Sequence, residues 1–294
     1  MNNHTNYKIG IIGIGVLGSA IAKCILDQKV TLYGFDISKK FLKNLNKNYF
    51  KFCLSIKEVF KNTDVIITCL PTEQSLLEIS NNILSKKLII ETSTLPVECK
   101  NNAKKLILKN GSNIVDAPVS GNRISALNGQ LSSYLSGAKK DKQIAELILK
   151  LFCKQVTDVG AFGNGIIMKL IGNILNLVHN AVTAEVMILG MKSGLSPKII
   201  HEAISGTFSS SGVFENRGKL MVDEDYSKEG MNFSIPMKDS KYITDLSREK
   251  SVGIPIYQVA LQYYYSAIAH GLRDKDASSI LKILEKNSNF KRPN

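Results

Sequence analysis

The first half of the chain alternates short apolar runs with amphipathic segments, whereas the second half shows helical periodicity only. Runs such as 9–12 (IGII), 64–70 (DVIITCL) and 88–92 (LIIET) are rich in β-branched residues and too short for helices. This pattern is typical of strands that are buried on both faces. Because strands that alternate with helices form parallel sheets, we predict a doubly wound parallel sheet followed by an all-helical part.

The predicted elements change character at the glycine-rich stretch 160–165 (GAFGNG). Before it, further strands are predicted at 30–35, 49–54, 113–118, 131–136 and 155–159. Helices are predicted there at 19–26, 39–46, from 55 onwards, from 96 to about 111, and at 141–151. After it, helices are predicted at 166–191, 197–205, 236–250, 255–270 and 276–285. We therefore predict two domains, residues 1–161 and residues 162–294.

A glycine-rich turn, residues 13–18 (GIGVLG), joins the first predicted strand to the first predicted helix. In this position the G-x-G-x-x-G pattern indicates a dinucleotide site. The first glycine permits a tight turn, the second lets the backbone approach a pyrophosphate, and the third allows close helix–strand packing. A carboxylate at the end of the second strand is placed to bond the adenosine ribose. We therefore predict a Rossmann-type domain that binds its cofactor through Gly13, Ile14, Gly15, Val16, Leu17, Gly18 and Asp36.

The residues around Asp36 favour NAD over NADP. Its carboxylate accepts hydrogen bonds from ribose hydroxyls and repels a 2′-phosphate, and the following residue is Ile37 rather than an arginine. Lys39 and Lys40 keep NADP possible, since either ammonium group can bind a phosphate.

Composition and charge exclude several other classes of protein. The formal net charge is +13, but the lysines are spread along the chain and no nucleic-acid motif is present, so we predict no nucleic-acid partner. No apolar run reaches membrane length without polar interruption, and residues 1–6 lack the apolar core of a signal peptide. The odd number of cysteines, five without a C-x-x-C pair, predicts a reduced, cytoplasmic protein without a metal site.

The long predicted helix 166–191 carries one polar stripe on an otherwise apolar surface. Its members recur at helical spacing and are Lys169, Asn173, Asn176, Asn180 and Thr183. The stripe is either an ordinary solvated face or the wall of a wet cleft. We favour the cleft because the stripe holds a single charge, and because a desolvated lysine has a lowered pKa that suits a general base.

Four blocks of the sequence resemble the β-hydroxyacid dehydrogenase family, which includes 3-hydroxyisobutyrate dehydrogenase and tartronate semialdehyde reductase. The resemblance covers essentially the whole chain. The blocks are 13–18, 116–121 (DAPVSG) with 129–131 (GQL), 163–165 (GNG) with Lys169 and Asn173, and 237–239 (MKD).

The resemblance implies NAD(P)-dependent hydride transfer between the nicotinamide and a small, anionic 3-hydroxy acid, 3-hydroxyisobutyrate-like, or its semialdehyde. Lys169 would be the catalytic acid/base. The substrate-binding residues would be Ser120, Gly121, Asn122, Asn173, Phe233 and Asp239. Further cofactor contacts would come from Leu70, Pro71, Thr94 and Lys238. Two departures stand out: Asn122 and Arg123 replace the family's second glycine, and the serine-rich stretch 208–219 has no assigned contacts.

Two alternatives stay open beside this interpretation. An imine reductase-like enzyme is disfavoured by Lys169, because related imine reductases differ at that position. A catalytically silent nucleotide-binding scaffold is disfavoured because both Lys169 and Asn173 are kept. The apolar surface of the helical domain predicts a homodimer or homotetramer.

Overall fold

The structure is a computed structural model that describes residues 6–227 and 231–292. The prediction of no signal peptide rests on residues 1–6, of which 1–5 lie outside the described residues. The chain divides into two compact units, residues 1–169 and residues 170–294. The domain boundary at residue 161 stays a prediction, since one helix continues through the division between the units.

A six-stranded parallel sheet forms the centre of the first unit. Its strands are β1 (Ile9–Ile12), β2 (Leu32–Phe35), β3 (Phe50–Phe52), β4 (Val65–Thr68), β5 (Leu88–Glu91) and β6 (Asn113–Asp116). Their order is β3-β2-β1-β4-β5-β6, and every pairing is parallel. The order reverses between β1 and β4, and doubly wound sheets bind ligands beyond the carboxyl ends of their strands at that point. The predicted α/β fold is confirmed.

Helices cover the two faces of this sheet. They are α1 (Val16–Asp27), α2 (Ile56–Asn62), α3 (Glu73–Asn82), α4 (Val97–Lys109), α5 (Arg123–Leu127) and α6 (Lys139–Leu149). The predicted helix start at residue 55 is present: the Ser55 hydroxyl caps α2 by accepting from the Glu58 amide, and the Glu58 carboxylate accepts from the Leu54 amide. The predicted helix 39–46 is wrong: the chain forms only a 3₁₀ turn at Leu42–Asn44, in a stretch whose two asparagines have low helix propensity.

Three further strands form a second, mixed sheet in the first unit. They are β7 (Val119–Ser120), antiparallel to β8 (Leu131–Leu135), and β9 (Cys153–Asp158), parallel to β8. The sequence predicted strands near β8 and β9 but not their separation from the main sheet. Pro118, which lacks a backbone donor, lies two residues after the end of β6. An isolated antiparallel pairing of Asp116 with Ser136 joins the two sheets.

The second unit is helical, as predicted. Its helices are α7 (Asn164–Lys192), which begins in the first unit, α8 (Pro197–Ile204), α9 (Gly212–Asp223), α10 (Ser234–Glu249), α11 (Pro255–Ala269) and α12 (Ile280–Asn287). The serine-rich stretch 208–219 contains the start of α9, where the Ser211 hydroxyl accepts from the Phe214 amide. Arg217 then pairs with Asp276 at 3.1 Å, so this stretch is fastened within its own unit.

The polar stripe of α7 differs from its prediction in the second half of the helix. Asn180 is fully buried and donates to the Tyr264 hydroxyl and to a backbone carbonyl. Thr183 is also buried, and its hydroxyl donates to the His179 carbonyl. The cleft interpretation is therefore wrong for these two residues, which find their hydrogen-bond partners inside the core. On the apolar part of the helix surface, about half of each of the side chains of Leu175 and Val182 is exposed.

Among the described residues, α7 is the one helix long and apolar enough to cross a membrane by length and composition. In its most apolar window, 44% of the residues are buried inside the protein. Core helices of globular proteins have the same composition, so the helix is weak grounds for a membrane span.

Candidate active site

The three glycines of the turn between β1 and α1 have different surroundings. A Cβ on Gly13, whose φ is +92°, would lie 2.2 Å from the Cys69 carbonyl oxygen, and one on Gly18 would lie 2.0 Å from the Gly13 carbonyl oxygen. A Cβ on Gly15 would meet no atom within 4 Å. The first and third glycines are thus required by the protein itself, whereas Gly15 faces open space. This arrangement fits a pyrophosphate that approaches the backbone at Gly15.

The start of α1 adds a favourable field for an anion. Its first turn contains no acidic residue, and no side chain caps it. The positive end of the helix dipole is therefore not neutralised by a side chain of the first turn.

Asp36 lies directly after β2 and faces this turn. Its Oδ2 accepts from the Ile14 amide at 2.5 Å, and its Oδ1 accepts from the Ser38 amide at 2.6 Å. Each carboxylate oxygen has a second lone pair, which suits a ribose hydroxyl. Lys39 and Lys40, which kept NADP possible, lie over the rings of Phe52 and Phe41.

The loops after β4 and β5 are tied to each other at the same edge of the sheet. The Leu70 amide donates to the Ser93 hydroxyl at 2.8 Å, and the Ser93 amide donates to Glu91 Oε1 at 2.8 Å. The residues predicted to border the cofactor, Leu70, Pro71 and Thr94, are half-buried or exposed. The structure thus brings these three residues to the carboxyl edge that also carries the glycine turn.

The predicted substrate loop follows β7. Gly121 has a φ of +130°, and a Cβ there would lie 2.6 Å from Leu131 Cδ2, so only glycine fits. Asn122 caps α5, since its Oδ1 accepts from the Ser125 amide at 2.9 Å. Its side-chain oxygen therefore has a structural task, and its substrate-binding role stays a prediction, as does that of Ser120.

A buried ionic cluster at the carboxyl ends of β5 and β6 was not predicted. Lys100 Nζ lies 2.6 Å from Asp116 Oδ1 and 3.8 Å from Glu91 Oε1, and all three side chains are fully buried. Among the described lysines and arginines, Lys100 is the one that is fully buried. A signal was present in the sequence, because Glu91 and Asp116 each end an apolar strand of a sheet covered on both faces, where a lone charge is costly.

The cluster also contacts the first turn of α7. The Ile166 amide donates to Asp116 Oδ2 at 2.8 Å, and the Gly165 amide donates to the Ser136 hydroxyl at 3.0 Å. A Cβ on Gly165 would lie 2.5 Å from the Tyr134 carbonyl oxygen, so the helix starts in direct contact with the end of β8. Lys169, the predicted acid/base, follows three residues after Ile166 and is half-buried.

The predicted site residues of the second unit form a smaller cluster. Asn173 Nδ2 donates to Asp239 Oδ2 at 2.8 Å, and Asn173 Oδ1 accepts from Asn176 at 3.3 Å. Lys238 Nζ lies 3.1 Å from Asp239 Oδ1. Because an amide nitrogen carries two N–H groups, the second N–H of Asn173 is the one that can contact a substrate. Phe233, predicted near the pocket wall, is fully buried and packs edge-to-face on a tyrosine ring.

Three of the five cysteines offer no nucleophile at neutral pH. Burial raises the pKa of the Cys53 and Cys99 thiols to about 11, and that of Cys153 to about 12, so these groups are protonated at neutral pH. Within residues 6–227 and 231–292, no group of three or more histidine, cysteine, aspartate or glutamate residues is placed to hold a metal ion.

Comparison with known proteins identifies the family. Residues 8–160 match the NAD binding domain of 6-phosphogluconate dehydrogenase, and residues 163–284 match the domain described as NAD-binding of NADP-dependent 3-hydroxyisobutyrate dehydrogenase. L-threonate dehydrogenase of Cupriavidus necator is 28% identical over 284 residues, which cover 94% of this chain and 95% of that protein. The mitochondrial 3-hydroxyisobutyrate dehydrogenase of Rattus norvegicus is 28% identical over 295 residues, which cover 96% of this chain and 88% of that protein.

A solved structure supports the same assignment of the fold. The 3-hydroxyisobutyrate dehydrogenase of Salmonella typhimurium superposes with a TM-score of 0.84 at 23% identity, covering 95% of this chain and 100% of that one. The glycine turn, Asp36 and the two matched domains account for a nicotinamide cofactor. The chain belongs to the β-hydroxyacid dehydrogenase family and uses NAD(P).

Proposed function

We propose that the protein oxidises the alcohol group of a small 3-hydroxy acid with NAD, or reduces the corresponding semialdehyde, and that Lys169 is its acid/base. One observation carries the proposal: the helix of Lys169 starts on Asp116 and Ser136, at the sheet edge that holds the glycine turn. A titratable amine is thereby carried by a helix that begins where the family binds its cofactor.

The roles of the residues follow from the chemistry of the reaction. When bound, the nicotinamide accepts the hydride from the alcohol carbon. The hydroxyl proton has to leave at the same time, and the Lys169 amine takes it; in the reverse direction the ammonium group returns it to the carbonyl oxygen.

A carboxylate on the substrate is the expected anchor. We assign its recognition to Ser120, Gly121 and the second N–H of Asn173, since charge-assisted hydrogen bonds are the strong ones. The relatives are named for L-threonate and 3-hydroxyisobutyrate, and both compounds are hydroxy acids. Asp239 and Lys238 keep the Asn173 amide oriented.

We further propose a homodimer or homotetramer in a reducing, cytoplasmic environment. The exposed apolar residues of α7 recur at helical spacing, among them Ile171, Leu175 and Val182, and such a stripe is typical of an interface. All five cysteines are free thiols, which suits a reducing compartment.

A substrate panel tests the proposed function. Small 3-hydroxy acids and their semialdehydes are assayed with NAD and NADP, each acid beside the alcohol that lacks its carboxylate. We expect turnover of at least one acid with NAD and a kcat/KM about tenfold to a hundredfold lower for its alcohol analogue. Equal turnover of the two compounds contradicts the carboxylate anchor, and no turnover of any acid or semialdehyde contradicts the proposed reaction.

A further inference from the structure

The buried cluster of Glu91, Lys100 and Asp116 has no place in the reaction described above, yet it is the most expensive polar feature of the first unit. Two carboxylates and one ammonium group are fully buried together. Burying such charges is costly unless each one is paired and hydrogen-bonded, and replacing them by apolar residues is often stabilising. A gain in stability therefore does not explain why these three charged residues are buried together. The contacts of the cluster point to another role.

Asp116 has a different main partner on each carboxylate oxygen, and Oδ2 also accepts from the Ser136 hydroxyl at 3.4 Å. Oδ1 accepts from Lys100 Nζ at 2.6 Å, while Oδ2 accepts from the Ile166 amide at 2.8 Å in the first turn of α7. The amide groups of a helix start are without partners inside the helix, so Asp116 caps α7 from a strand end fifty residues earlier. The positive end of the α7 dipole offsets part of the cluster's excess negative charge.

Glu91 has the same lysine as a neighbour but does not contact α7. Its Oε1 accepts from the Ser93 amide, and its Oε2 accepts from the Thr68 hydroxyl. The two carboxylates of the cluster thus support different parts of the unit: Glu91 the loops after β4 and β5, and Asp116 the start of the helix that carries Lys169.

We propose that Lys100 and Asp116 are a positioning pair for the reaction, which fixes the first turn of α7 and thereby places the Lys169 amine. The proposal rests on the proposed function, in which Lys169 exchanges the substrate proton. Neither residue of the pair touches substrate or cofactor; Lys100 orients the Asp116 carboxylate, and Asp116 orients the helix.

Asp116→Asn separates the two tasks of the carboxylate. An amide has one oxygen, so the substituted side chain can accept from Lys100 or from the Ile166 amide but not from both, and its nitrogen opposes the other donor. We expect kcat to fall about tenfold to a hundredfold, the effect of a small misplacement of a reacting group, while the NAD dissociation constant changes by less than about twofold.

Glu91→Gln is the matched control, because it removes the same charge beside the same lysine. Its amide oxygen can keep the Ser93 amide, and its nitrogen can donate to the Thr68 hydroxyl, which is able to accept. We expect kcat to stay within about twofold of the wild type. An equal loss of kcat in both variants means that only the buried charge matters, and overturns the proposal.

Coupling to Lys169 is measured with a double-mutant cycle. If Asp116 acts through Lys169, then Lys169→Met together with Asp116→Asn is no slower than Lys169→Met alone, within about twofold. If the two substitutions together lower kcat by the product of their separate effects, the proposal of a positioning pair is overturned. A Lys169→Met variant with wild-type kcat instead overturns the proposed function, and the two failures are distinguished by that single variant.

A readout independent of activity is hydrogen exchange in peptides that span residues 163–169. We expect exchange to rise about tenfold in Asp116→Asn and to keep its wild-type rate in Glu91→Gln, because only Asp116 bonds the Ile166 amide. Wild-type exchange in Asp116→Asn overturns the proposal.

Lys100 is tested by rescue. In Lys100→Met with Asp116→Asn, the net charge of the cluster equals that of the wild type, and the amide oxygen is free to accept from Ile166. This double variant should therefore regain most of the kcat lost in Asp116→Asn; no recovery overturns the role of Lys100. If Asp116→Asn does not fold, Ser136→Ala removes the acceptor of the Gly165 amide together with a hydroxyl that donates to Asp116. It should lower kcat about threefold to tenfold, and unchanged kcat overturns the proposal.

Discussion

The two compact units build their parts of the proposed site in different ways. In the first unit the proposed ligand groups are mostly backbone: the turn 13–18, the start of α1 and the loop at Gly121. In the second unit they are side chains, of which Asn173, Lys238 and Asp239 hold one another. A substitution removes a side-chain group directly, whereas it affects a backbone group only by distorting the chain. We therefore expect changes in the turn 13–18 to alter cofactor affinity and changes at Asn173 to alter substrate handling.

The largest expected effect belongs to Lys169, the last residue of the first unit and a side chain rather than a backbone group. Lys169→Met keeps the length of the side chain and removes the amine, so kcat should fall ~10²–10⁴-fold, the usual share of general acid–base catalysis. NAD affinity, measured by calorimetry, should change little. Lys105→Met, on the exposed side of α4, is the control. A loss of NAD binding would instead make Lys169 a cofactor ligand.

A substitution in the second unit should act on the substrate and leave the cofactor site intact. Asn173→Ala should lower kcat/KM for the acid substrate about tenfold to a hundredfold, because a hydrogen bond to a carboxylate is lost. The alcohol analogue should be affected much less, and NAD affinity should be unchanged. Asn216→Ala, at an exposed position of α9 where the amide donates only to a carbonyl of its own helix, serves as the control. Equal losses for acid and alcohol would contradict the assignment.

Asp36 is the side-chain exception in the first unit and should decide between the two cofactors. Asp36→Ala removes an acceptor for the ribose hydroxyls and a charge that repels a 2′-phosphate, so it should lower kcat/KM with NAD about tenfold or more and narrow the gap to NADP. The exposed carboxylate variant Asp64→Ala should leave the ratio unchanged. A wild-type preference for NADP would show that Lys39 or Lys40 outweighs Asp36.

Gly15 tests the backbone part of the comparison. A Cβ there meets no protein atom within 4 Å, and its φ of −76° is allowed for alanine. Gly15→Ala should therefore keep the melting temperature and weaken NAD binding about tenfold, since the methyl group occupies the approach of the pyrophosphate. Gly212→Ala is a matched control, because Gly212 also has open space at its Cβ and a negative φ. Unchanged NAD affinity would place the pyrophosphate elsewhere.

The smallest effect concerns an ion pair that is about as short as the buried one but partly exposed to solvent. Lys142 Nζ lies 2.5 Å from Asp158 Oδ1, and this lysine, with the Gly160 amide, lowers the pKa of the Asp158 carboxyl. A depressed pKa means that the stabilisation is present above the ordinary aspartate value and is lost as pH falls through the folded-state value. Asp158→Asn should cost less than about 1 kcal/mol in urea unfolding near neutral pH, and nothing in strong acid, because exposed pairs are screened. A larger loss in the free energy of unfolding, or a loss that does not change with pH, contradicts the prediction of a weak, pH-dependent ion pair.

The sequence predicted the first unit better than the second for a physical reason. Short β-branched runs and the glycine turn are local patterns that can be recognised in the sequence. Because ligands bind at the carboxyl ends of parallel strands, these patterns also predict where the site lies. Helical periodicity predicted five of the six helices that the structure describes in the second unit and missed α9. It did not predict their partners, since Asn173 with Asp239 and Asn180 with Tyr264 meet only through packing between distant segments.

Three wrong or missing predictions show what could not be inferred from the sequence alone. The polar stripe of α7 was interpreted as one surface, although Asn180 and Thr183 are buried and only Lys169, Asn173 and Asn176 are half-buried. The helix 39–46 was predicted from polarity and spacing, and most of it is not helical. Lys100 was overlooked because a lysine in an otherwise polar helix gives no sign that the tertiary fold surrounds it completely.

The cap of α7 has a consequence for the order in which the protein is made. Glu91, Lys100, Asp116 and Ser136 all precede Asn164 in the chain, so each of them leaves the ribosome before the helix does. Domains fold as units, the N-terminal one first during synthesis, and a helix propagates readily once its first turn is fixed. We therefore expect the completed first unit to supply the nucleus of α7, so that the helix grows from its N-terminal end towards residues that are translated later. Substitutions that weaken the cap should then slow the refolding of the second unit even where they leave the final structure unchanged.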